Sequence, residues 1–245
     1  MARSEQLILI PGFGSDEALW HHQTTHLRDI AECRVAVPDQ DDTVSATAER
    51  LLDEIAGGFS LVGQSMGGFV AQEMVRRAPD RIERLALVCT SARPNEGTAA
   101  VNKGTLSSAI SQFFTLDDEQ NFVATRKEVI AATLYADAVD REPGRILETM
   151  LTRVLSRPGV FHRQLNAIAT RPDGRPHLAA IRCPTVVITG RDDKWMAPDL
   201  AVEMAQNIPG AAMVFIEQAA HAPAIEQPQA TTAVLRYWLQ QGRGT

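Results

Sequence analysis

The chain has 245 residues, of which 44% are hydrophobic and 22% are charged, and its net charge is -6 at pH 7. This balance is typical of globular proteins and argues against a disordered or collagen-like chain. Because the charge is negative and no segment concentrates lysine and arginine, we expect neither nucleic acid nor an anionic membrane surface as a partner. The apolar runs are also shorter than a membrane span requires.

Short apolar runs of strand length recur along the chain, and most of them lack polar alternation. Strands that are apolar on both faces belong in a parallel sheet covered by helices on each side. Amphipathic stretches of helix length lie between several of the runs. This order predicts an α/β protein with a mostly parallel central sheet flanked by helices. The predicted strands are residues 7–10, 35–37, 59–62, 85–88, 185–188 and 213–216, and the predicted helices include residues 46–55, 66–77 and 200–206.

The stretch from about residue 98 to residue 169 differs from the rest of the chain, and residues 171–176 after it are predicted to form the hinge that returns to the core. The stretch contains no comparable strand run and is predicted to form several helices. Because it lies between the fourth and fifth predicted strands, we expect it above the carboxyl edge of the sheet, where open α/β sheets bind ligands. We therefore predict a core domain of residues 1–97 and 177–245, and a helical cap of residues 98–176 that roofs a pocket.

Ser65 stands in a predicted turn between a strand and a helix. The strand run before it ends at Gly63, and the helical pattern starts at Met66. A serine in such a turn has a strained backbone that requires small neighbours, here Gly63 and Gly67, and its hydroxyl projects above the sheet. The positive end of the following helix also points at the reacting oxygen. The pattern predicts a nucleophile, and the alternative is a serine that only caps the helix.

A serine nucleophile needs a histidine to accept its proton and a carboxylate to orient that histidine. His221 follows the last predicted strand in a short loop, so its side chain can reach over the sheet edge. Asp192 and Asp193 follow the preceding strand. The alternatives are an incidental loop histidine and a solvated turn. His22 and His26 have the spacing of a metal pair, but no third ligand accompanies them, so no metal site is predicted.

These features resemble the α/β-hydrolase family over nearly the whole chain. Residues 63–68 are similar to the turn that carries the family's nucleophile. Residues 7–14 resemble its first core strand and oxyanion loop, although members often have histidine where this chain has Pro11. Residues 220–228 are similar to its catalytic-histidine loop, although glycine is common where Ala220 stands.

The resemblance implies roles for individual residues. The family places its acid three residues after a glycine, which favours Asp193 over Asp192. The backbone N–H groups of Phe13 and Met66 would form an oxyanion hole, the pair of donors that binds the negative oxygen of the intermediate. On its own, the segment around Phe13 could also be only a turn.

The expected chemistry is acyl transfer without a metal or an organic cofactor. Ser65 would attack an ester carbonyl, with His221 as general base and Asp193 as the group that orients it. An acyl-serine would form and then be hydrolysed by water. Trp195 and Met196 stand two and three residues after the predicted acid and are expected in the substrate pocket. The predicted substrate is a small, mainly apolar carboxylic ester.

Two other functions stay open at this point. The resemblance extends to small esterases, enol-lactonases and carbon–carbon bond hydrolases, which share the same triad. A lactone or a vinylogous diketone is therefore an alternative substrate. The diketone would require a basic pocket residue, for which Arg126, Arg153 and Arg163 are available. The alternative from another class is a ligand-binding relative with an idle triad.

The cysteine content bears on the cellular compartment. Cys33, Cys89 and Cys183 lie far apart and show no metal or redox spacing, so we expect them to be small buried hydrophobic residues. The N-terminal residues do not match a secretory signal. An odd cysteine count without such a signal favours a reducing, cytoplasmic compartment.

Overall fold

The structure, a computed structural model, describes residues 5–94 and 127–241. The strands are β1 (Glu5–Ile10), β2 (Ala31–Val35), β3 (Phe59–Gln64), β4 (Ile82–Val88), β5 (Thr185–Gly190) and β6 (Ala212–Ile216). They form one sheet in the order β2-β1-β3-β4-β5-β6, and every neighbouring pair is parallel. The predicted α/β architecture with a parallel central sheet is confirmed.

Helices lie between the strands along the described chain. They are α1 (His21–Leu27), α2 (Val44–Glu54), α3 (Met66–Arg77), α4 (residues 127–133), α5 (Glu142–Leu155), α6 (Val160–Ala169), α7 (Arg175–Leu178), α8 (Pro198–Asn207), α9 (Pro223–Glu226) and α10 (Pro228–Gln240). Short 3-10 turns are present at Glu17–Trp20, Pro79–Arg81 and Ala136–Ala138. Among the described helices, none combines the length and the apolar character that crossing a membrane requires.

The pleat of the strands divides their side chains between two hydrophobic cores. In β1, Leu7 and Leu9 join a core with residues of α1, α5, α6 and α10, whereas Ile8 and Ile10 join a core with residues of α2, α3 and α8. All four side chains are completely buried. Successive residues of a strand point to opposite faces, so a strand covered on both faces must be apolar at every position. This is why the central strands stand out in the sequence as unbroken apolar runs.

The predicted bounds of the second strand are wrong. Residues 35–37 were expected to form it, but β2 extends from Ala31 to Val35 at the edge of the described sheet. Its side chains alternate between buried or half-buried and exposed positions, so it lacks the apolar run of a central strand. Ala36 still donates its N–H to the carbonyl oxygen of Leu9 (2.9 Å) after the strand has ended.

The described part of the predicted cap lies between β4 and β5. Every regular element there, from α4 to α6, is helical. Residues 98–126 and the boundary at residue 97 lie outside the described residues, so the division into core and cap stays a prediction. Arg126, one of the basic residues considered above, also lies outside them.

The three cysteines differ in exposure. Cys89 is buried, while Cys33 and Cys183 are half-buried, and all three thiols are free. The expectation of a small buried side chain therefore holds for Cys89, whereas the other two lie closer to the protein surface.

Candidate active site

Ser65 occupies a strained turn between β3 and α3. Its φ is 53° and its ψ is -117°, a combination that non-glycine residues rarely adopt. The Ser65 N–H donates to the Val88 carbonyl oxygen (2.9 Å), and the Thr90 hydroxyl donates to the Ser65 carbonyl oxygen (2.9 Å). The Ser65 side chain makes no capping hydrogen bond to α3. The turn thus leaves the hydroxyl for another partner, which argues against the helix-cap interpretation.

Two glycines allow this turn to pack tightly. A Cβ atom at Gly63 would collide with the carbonyl oxygen of Gly67, and one at Gly67 would collide with the carbonyl oxygen of Ile10. Any side chain at either position would therefore push α3 away from the sheet. The small neighbours predicted from the sequence are a packing requirement of the turn.

His221 connects Ser65 and Asp193 through its two ring nitrogens. Its Nε2 lies 2.9 Å from Ser65 Oγ, and its Nδ1 lies 3.0 and 2.9 Å from the two carboxylate oxygens of Asp193. Because an ionised carboxylate only accepts hydrogen bonds, Nδ1 carries the proton and Nε2 presents its lone pair to the serine hydroxyl. This arrangement can move a proton from Ser65 to His221.

The three residues come from separate parts of the chain. They follow β3, β5 and β6, and parallel strands all end at the same edge of a sheet. Asp193, and not Asp192, makes the contact to His221. Asp192 is exposed, whereas the Asp193 side chain has 0% exposure. Asp193 Oδ1 also accepts from the N–H groups of Trp195 (2.8 Å) and Met196 (2.9 Å). These donors compensate for the burial of its charge.

The loop of residues 11–16, called the oxyanion loop after its predicted role, runs close beside Ser65. A Cβ atom at Gly12 would lie 2.5 Å from Gln64 Oε1 and 3.1 Å from Ser65 Cβ, so a side chain there would displace at least one of these neighbours. Phe13 follows Gly12, and its ring meets Phe161 edge-on with centroids 6.0 Å apart. Met66 directly follows Ser65 and begins α3, where N–H groups have no partner inside the helix. Both predicted donor residues therefore adjoin the serine.

A buried amide that the sequence analysis missed holds this loop. Gln164 of α6 is completely buried, and its Oε1 accepts from the N–H of Gly14 (2.9 Å). Its Nε2 donates to the carbonyl oxygen of Pro38 (3.0 Å). Arg153 of α5 adds an ion pair to the Asp16 carboxylate (2.6 Å). No local sequence pattern indicates these contacts, because the partners are more than a hundred residues apart.

The histidine loop (residues 217–222) is held by other residues that the sequence analysis did not assign. Gln64 donates to the carbonyl oxygen of His221 (2.8 Å), and the His221 N–H donates to the carbonyl oxygen of Thr133 (2.9 Å). The Glu226 carboxylate accepts from backbone groups on both sides of His221. Gln64 and Glu226 lie inside the two segments that resemble family motifs, so their positions offered a signal, whereas Thr133 offered none.

An apolar cavity of about 70 Å³ adjoins Ser65 and His221. Trp195 and Met196, the residues expected in the pocket, line it together with Phe13. Its described lining includes no lysine, arginine, aspartate or glutamate. The remaining apolar walls come from the core and from the insertion, namely Leu19, Phe69, Val129, Leu147, Leu151, Ile168 and Ala222.

One cluster of potential metal ligands overlaps this site. The ligand atoms of Cys89, Asp193 and His221 lie within 4.8 Å of one another. Burial raises the pKa of the Cys89 thiol well above its ordinary value. The Cys89 thiol donates to the carbonyl oxygen of Ala220 (3.6 Å), and the Asp193 and His221 side chains already bond each other. The geometry of these residues therefore favours a proton relay over a metal centre.

The sheet order, the strained serine turn and the three hydrogen-bonded side chains define an α/β-hydrolase architecture. Residues 7–234 match the model of the alpha/beta hydrolase family. The chain belongs to this family.

The relatives narrow the class further. A pimeloyl-[acyl-carrier protein] methyl ester esterase from Aromatoleum aromaticum is 27% identical over 91% of this chain and 93% of the relative. A thermophilic esterase from Thermogutta terrifontis is 30% identical, with a TM-score of 0.78 over 97% of this chain and 90% of that one. The enol-lactonase from Burkholderia xenovorans LB400 is 25% identical, with a TM-score of 0.80 over 98% and 93%. These similarities identify a hydrolase of the ester-cleaving kind.

Proposed function

We propose that the protein is a serine esterase that cleaves small, mainly apolar carboxylic esters through an acyl-serine. In this proposal Ser65 is the nucleophile, His221 the general base and Asp193 the residue that orients it. The N–H groups of Phe13 and Met66 bind the oxyanion. The observation that carries the proposal is the continuous hydrogen-bonded path from Ser65 Oγ through both nitrogens of His221 to the Asp193 carboxylate.

The first half of the reaction forms the acyl-serine. Ser65 Oγ attacks the ester carbonyl carbon while His221 Nε2 takes the hydroxyl proton. The carbonyl oxygen becomes negative and accepts from the two backbone N–H groups. The imidazolium is stabilised by the buried Asp193 carboxylate. When the intermediate collapses, the ester C–O bond breaks and His221 returns the proton to the departing alkoxide, which leaves as the alcohol.

The second half releases the acid. Water attacks the acyl carbon while His221 accepts one of its protons. Collapse breaks the bond to Ser65 Oγ, which recovers that proton, and the carboxylic acid leaves. Every proton is moved by His221, and each half passes through an oxyanion at the same position. His221 must be neutral to start either half, so we expect activity to fall at acid pH.

The substrate class is argued from the cavity. Its described lining is mostly apolar, with Ser15, Gln64 and Thr133 as further polar residues, and it offers no lysine or arginine to a charged substrate group. Burial of an unpaired charge is costly, so an uncharged ester fits best next to Ser65. The small volume favours a short acyl or alcohol group at the reacting end. The Aromatoleum aromaticum relative is named as a methyl ester esterase, which agrees with a small leaving alcohol.

A lactone is the second candidate substrate. The enol-lactonase from Burkholderia xenovorans LB400 matches over nearly the whole chain. A lactone is a cyclic ester, so the same attack, oxyanion and proton transfers would open its ring. The linear and cyclic substrates differ in whether the leaving alcohol departs or stays attached to the acyl group.

The carbon–carbon hydrolase alternative has less support among the described residues. Arg153 is paired with Asp16, and Arg163 donates to the carbonyl oxygen of Asp39 (3.1 Å). Neither arginine lines the cavity beside Ser65. A charged diketone would therefore find no counter-charge in the described wall.

Active-site labelling tests the proposal. A fluorophosphonate should modify the wild-type protein at one serine and should not modify Ser65→Ala, while the exposed-site control Ser156→Ala should react like the wild type. Intact mass and peptide mapping identify the modified residue. Labelling that persists in Ser65→Ala would disprove the assigned nucleophile.

A substrate panel then distinguishes esters from lactones. We expect p-nitrophenyl esters with two- to four-carbon acyl groups to give a higher kcat/KM than longer ones, because the cavity is small. Five- and six-membered lactones run in parallel test the second candidate. A lactone kcat/KM above that of every ester would reverse the order of the two candidates.

A further inference from the structure

Glu226 is a buried carboxylate that the reaction described above does not use. It ends the short helix α9, and only 9% of the residue is exposed. Its Oε1 accepts from the N–H groups of Ala220 (3.0 Å) and Ala222 (2.9 Å), the two residues that flank His221. One carboxylate oxygen thus bonds the backbone immediately before and immediately after the histidine.

The second carboxylate oxygen reaches the opposite wall of the site. Glu226 Oε2 accepts from the N–H of Tyr135 (2.5 Å), just beyond α4. The His221 N–H donates to the carbonyl oxygen of Thr133 in α4 (2.9 Å). The His221 N–H thus bonds α4 directly, and Glu226 connects the backbone on both sides of His221 to Tyr135.

The charge of Glu226 lies in an unfavourable place for stability alone. Burial has the largest influence on the pKa of Glu226 and raises it. The backbone donors and the nearby charge of His221 lower this pKa. A neutral side chain of similar shape would avoid this desolvation cost. A carboxylate that is disfavoured by burial and still lies beside the site suggests a use for its charge.

We propose that Glu226 is a positioning residue for the proposed general base: its carboxylate fixes the backbone on both sides of His221, and its charge favours the imidazolium that forms when Ser65 attacks. The inference rests on the proposed function, because it assigns Glu226 a role through His221. Glu226 itself does not touch the reacting atoms.

The groups around His221 allow the effect of the Glu226 charge on the imidazole to be measured. Asp193 bonds the imidazole of His221, and the Cys89 sulfur lies within 4.8 Å of the ligand atoms of both residues. Burial keeps the Cys89 thiol neutral because it raises the pKa of that group. Two carboxylates therefore act on one imidazole, and Glu226 acts without a direct bond to its ring. Removing its charge makes the imidazole easier to deprotonate.

The decisive variant is Glu226→Gln, which keeps the size of the side chain and removes its charge. We expect the acid limb of the kcat/KM profile with p-nitrophenyl acetate to move to lower pH by about 0.5 to 1 unit. We also expect kcat at its plateau to fall about 5- to 50-fold with KM changed less than about twofold, because imidazolium formation is less favoured. The matched control is Glu217→Gln, at an exposed position of the histidine loop where the carboxylate pairs with Arg191. The control should follow the wild-type profile.

A fall in kcat without movement of the acid limb relative to Glu217→Gln would overturn the charge role. A change confined to KM would overturn the positioning role as well. Fluorophosphonate labelling of Ser65 in the same variants separates these results from a failure of the proposed function. If Ser65 is not the labelled residue in the wild type, the function fails; if Ser65 is labelled and the profiles coincide, only the Glu226 proposal fails.

A measurement on the wild-type protein covers the case in which Glu226→Gln does not fold. Proton–nitrogen NMR spectra recorded during acid titration should show the amides of Ala220, Ala222 and Tyr135 shifting together with one midpoint. That midpoint should lie above the usual glutamate range, since burial raises the pKa of Glu226. Three amides that shift with separate midpoints, or that do not shift before global unfolding, would contradict a shared carboxylate acceptor.

Discussion

The two loops on either side of Ser65 are held in different ways. The histidine loop is bound by Glu226, whose carboxylate reaches backbone groups four and six residues earlier in the chain. The oxyanion loop is bound by Gln164, whose amide reaches Gly14 across 150 residues. The first loop is thus held by its own chain segment together with Gln64 and Thr133 of α4, and the second is held by α5 and α6 of the insertion. Changes in α5 and α6 should therefore act on the oxyanion donor and spare the proton relay.

The largest expected loss of kcat comes from a change at Asp193, the residue that bonds His221. Asp193→Asn should lower kcat by about 10³- to 10⁴-fold, because an amide no longer fixes the tautomer that presents Nε2 to Ser65. KM should change little. Asp192→Asn is the matched control at the neighbouring exposed carboxylate and should retain wild-type kcat. Steady-state kinetics with p-nitrophenyl acetate measure both variants, and equal losses in the two would refute the choice of Asp193.

An intermediate effect is expected on the oxyanion side. Gln164→Leu removes the partner of the Gly14 N–H and should lower kcat about 10- to 100-fold through a displaced oxyanion donor. The acid limb of the pH profile should stay in place, since the relay is untouched. Asn166→Ala, at an exposed position of the same helix, is the control. A moved acid limb in Gln164→Leu would mean that the two loops are not held independently.

A smaller effect is expected from the ion pair at the same loop. Arg153→Met leaves the Asp16 carboxylate without its cation, but the Arg153 side chain is 57% exposed and the pair is partly screened by solvent. We expect kcat to fall about two- to threefold. Wild-type activity in 1 M salt should show a similar loss because salt screens exposed charges. Arg157→Met, which breaks an ion pair to Asp39 on the same side of the molecule, is the control.

The smallest effect on catalysis is expected from α3, which belongs to neither loop. Bonds from Arg76 and Arg77 lower the pKa of Glu73 to about 2. A lowered carboxyl pKa stabilises the fold above the ordinary value near 4.5, and this stabilisation is lost as the pH falls toward 2. Glu73→Gln should therefore lower the melting temperature by about 2 to 4 °C at pH 7 and less at pH 3. Its kcat should match the wild type; a loss of kcat would show that α3 also tunes the site.

Features within one chain segment could be predicted from the sequence, whereas contacts between distant residues could not. The strained turn at Ser65 and the glycines around it form one local pattern. Asp193 just after the buried strand β5, and His221 just after the apolar run of β6, are also visible in the sequence. Glu226 was within reach because it lies in the same segment as His221. Gln164 was not, because a glutamine on an amphipathic helix shows no sign of a contact 150 residues away. The edge strand β2 escaped correct placement because its alternating side chains resemble a surface segment.

The hydrogen bond between Gln164 and Gly14 couples the width of the cavity to the position of the loop next to Phe13. The walls of the cavity are shared between the core and helices α5 and α6. An outward movement of α6 that separated Gln164 from Gly14 would break the bond that holds the loop next to Phe13. A position of α6 that admits substrate would then be one in which the loop is not held for the attack by Ser65. The enzyme would be poorly reactive while its site is open to bulk water, and it would regain full reactivity only when the site is closed.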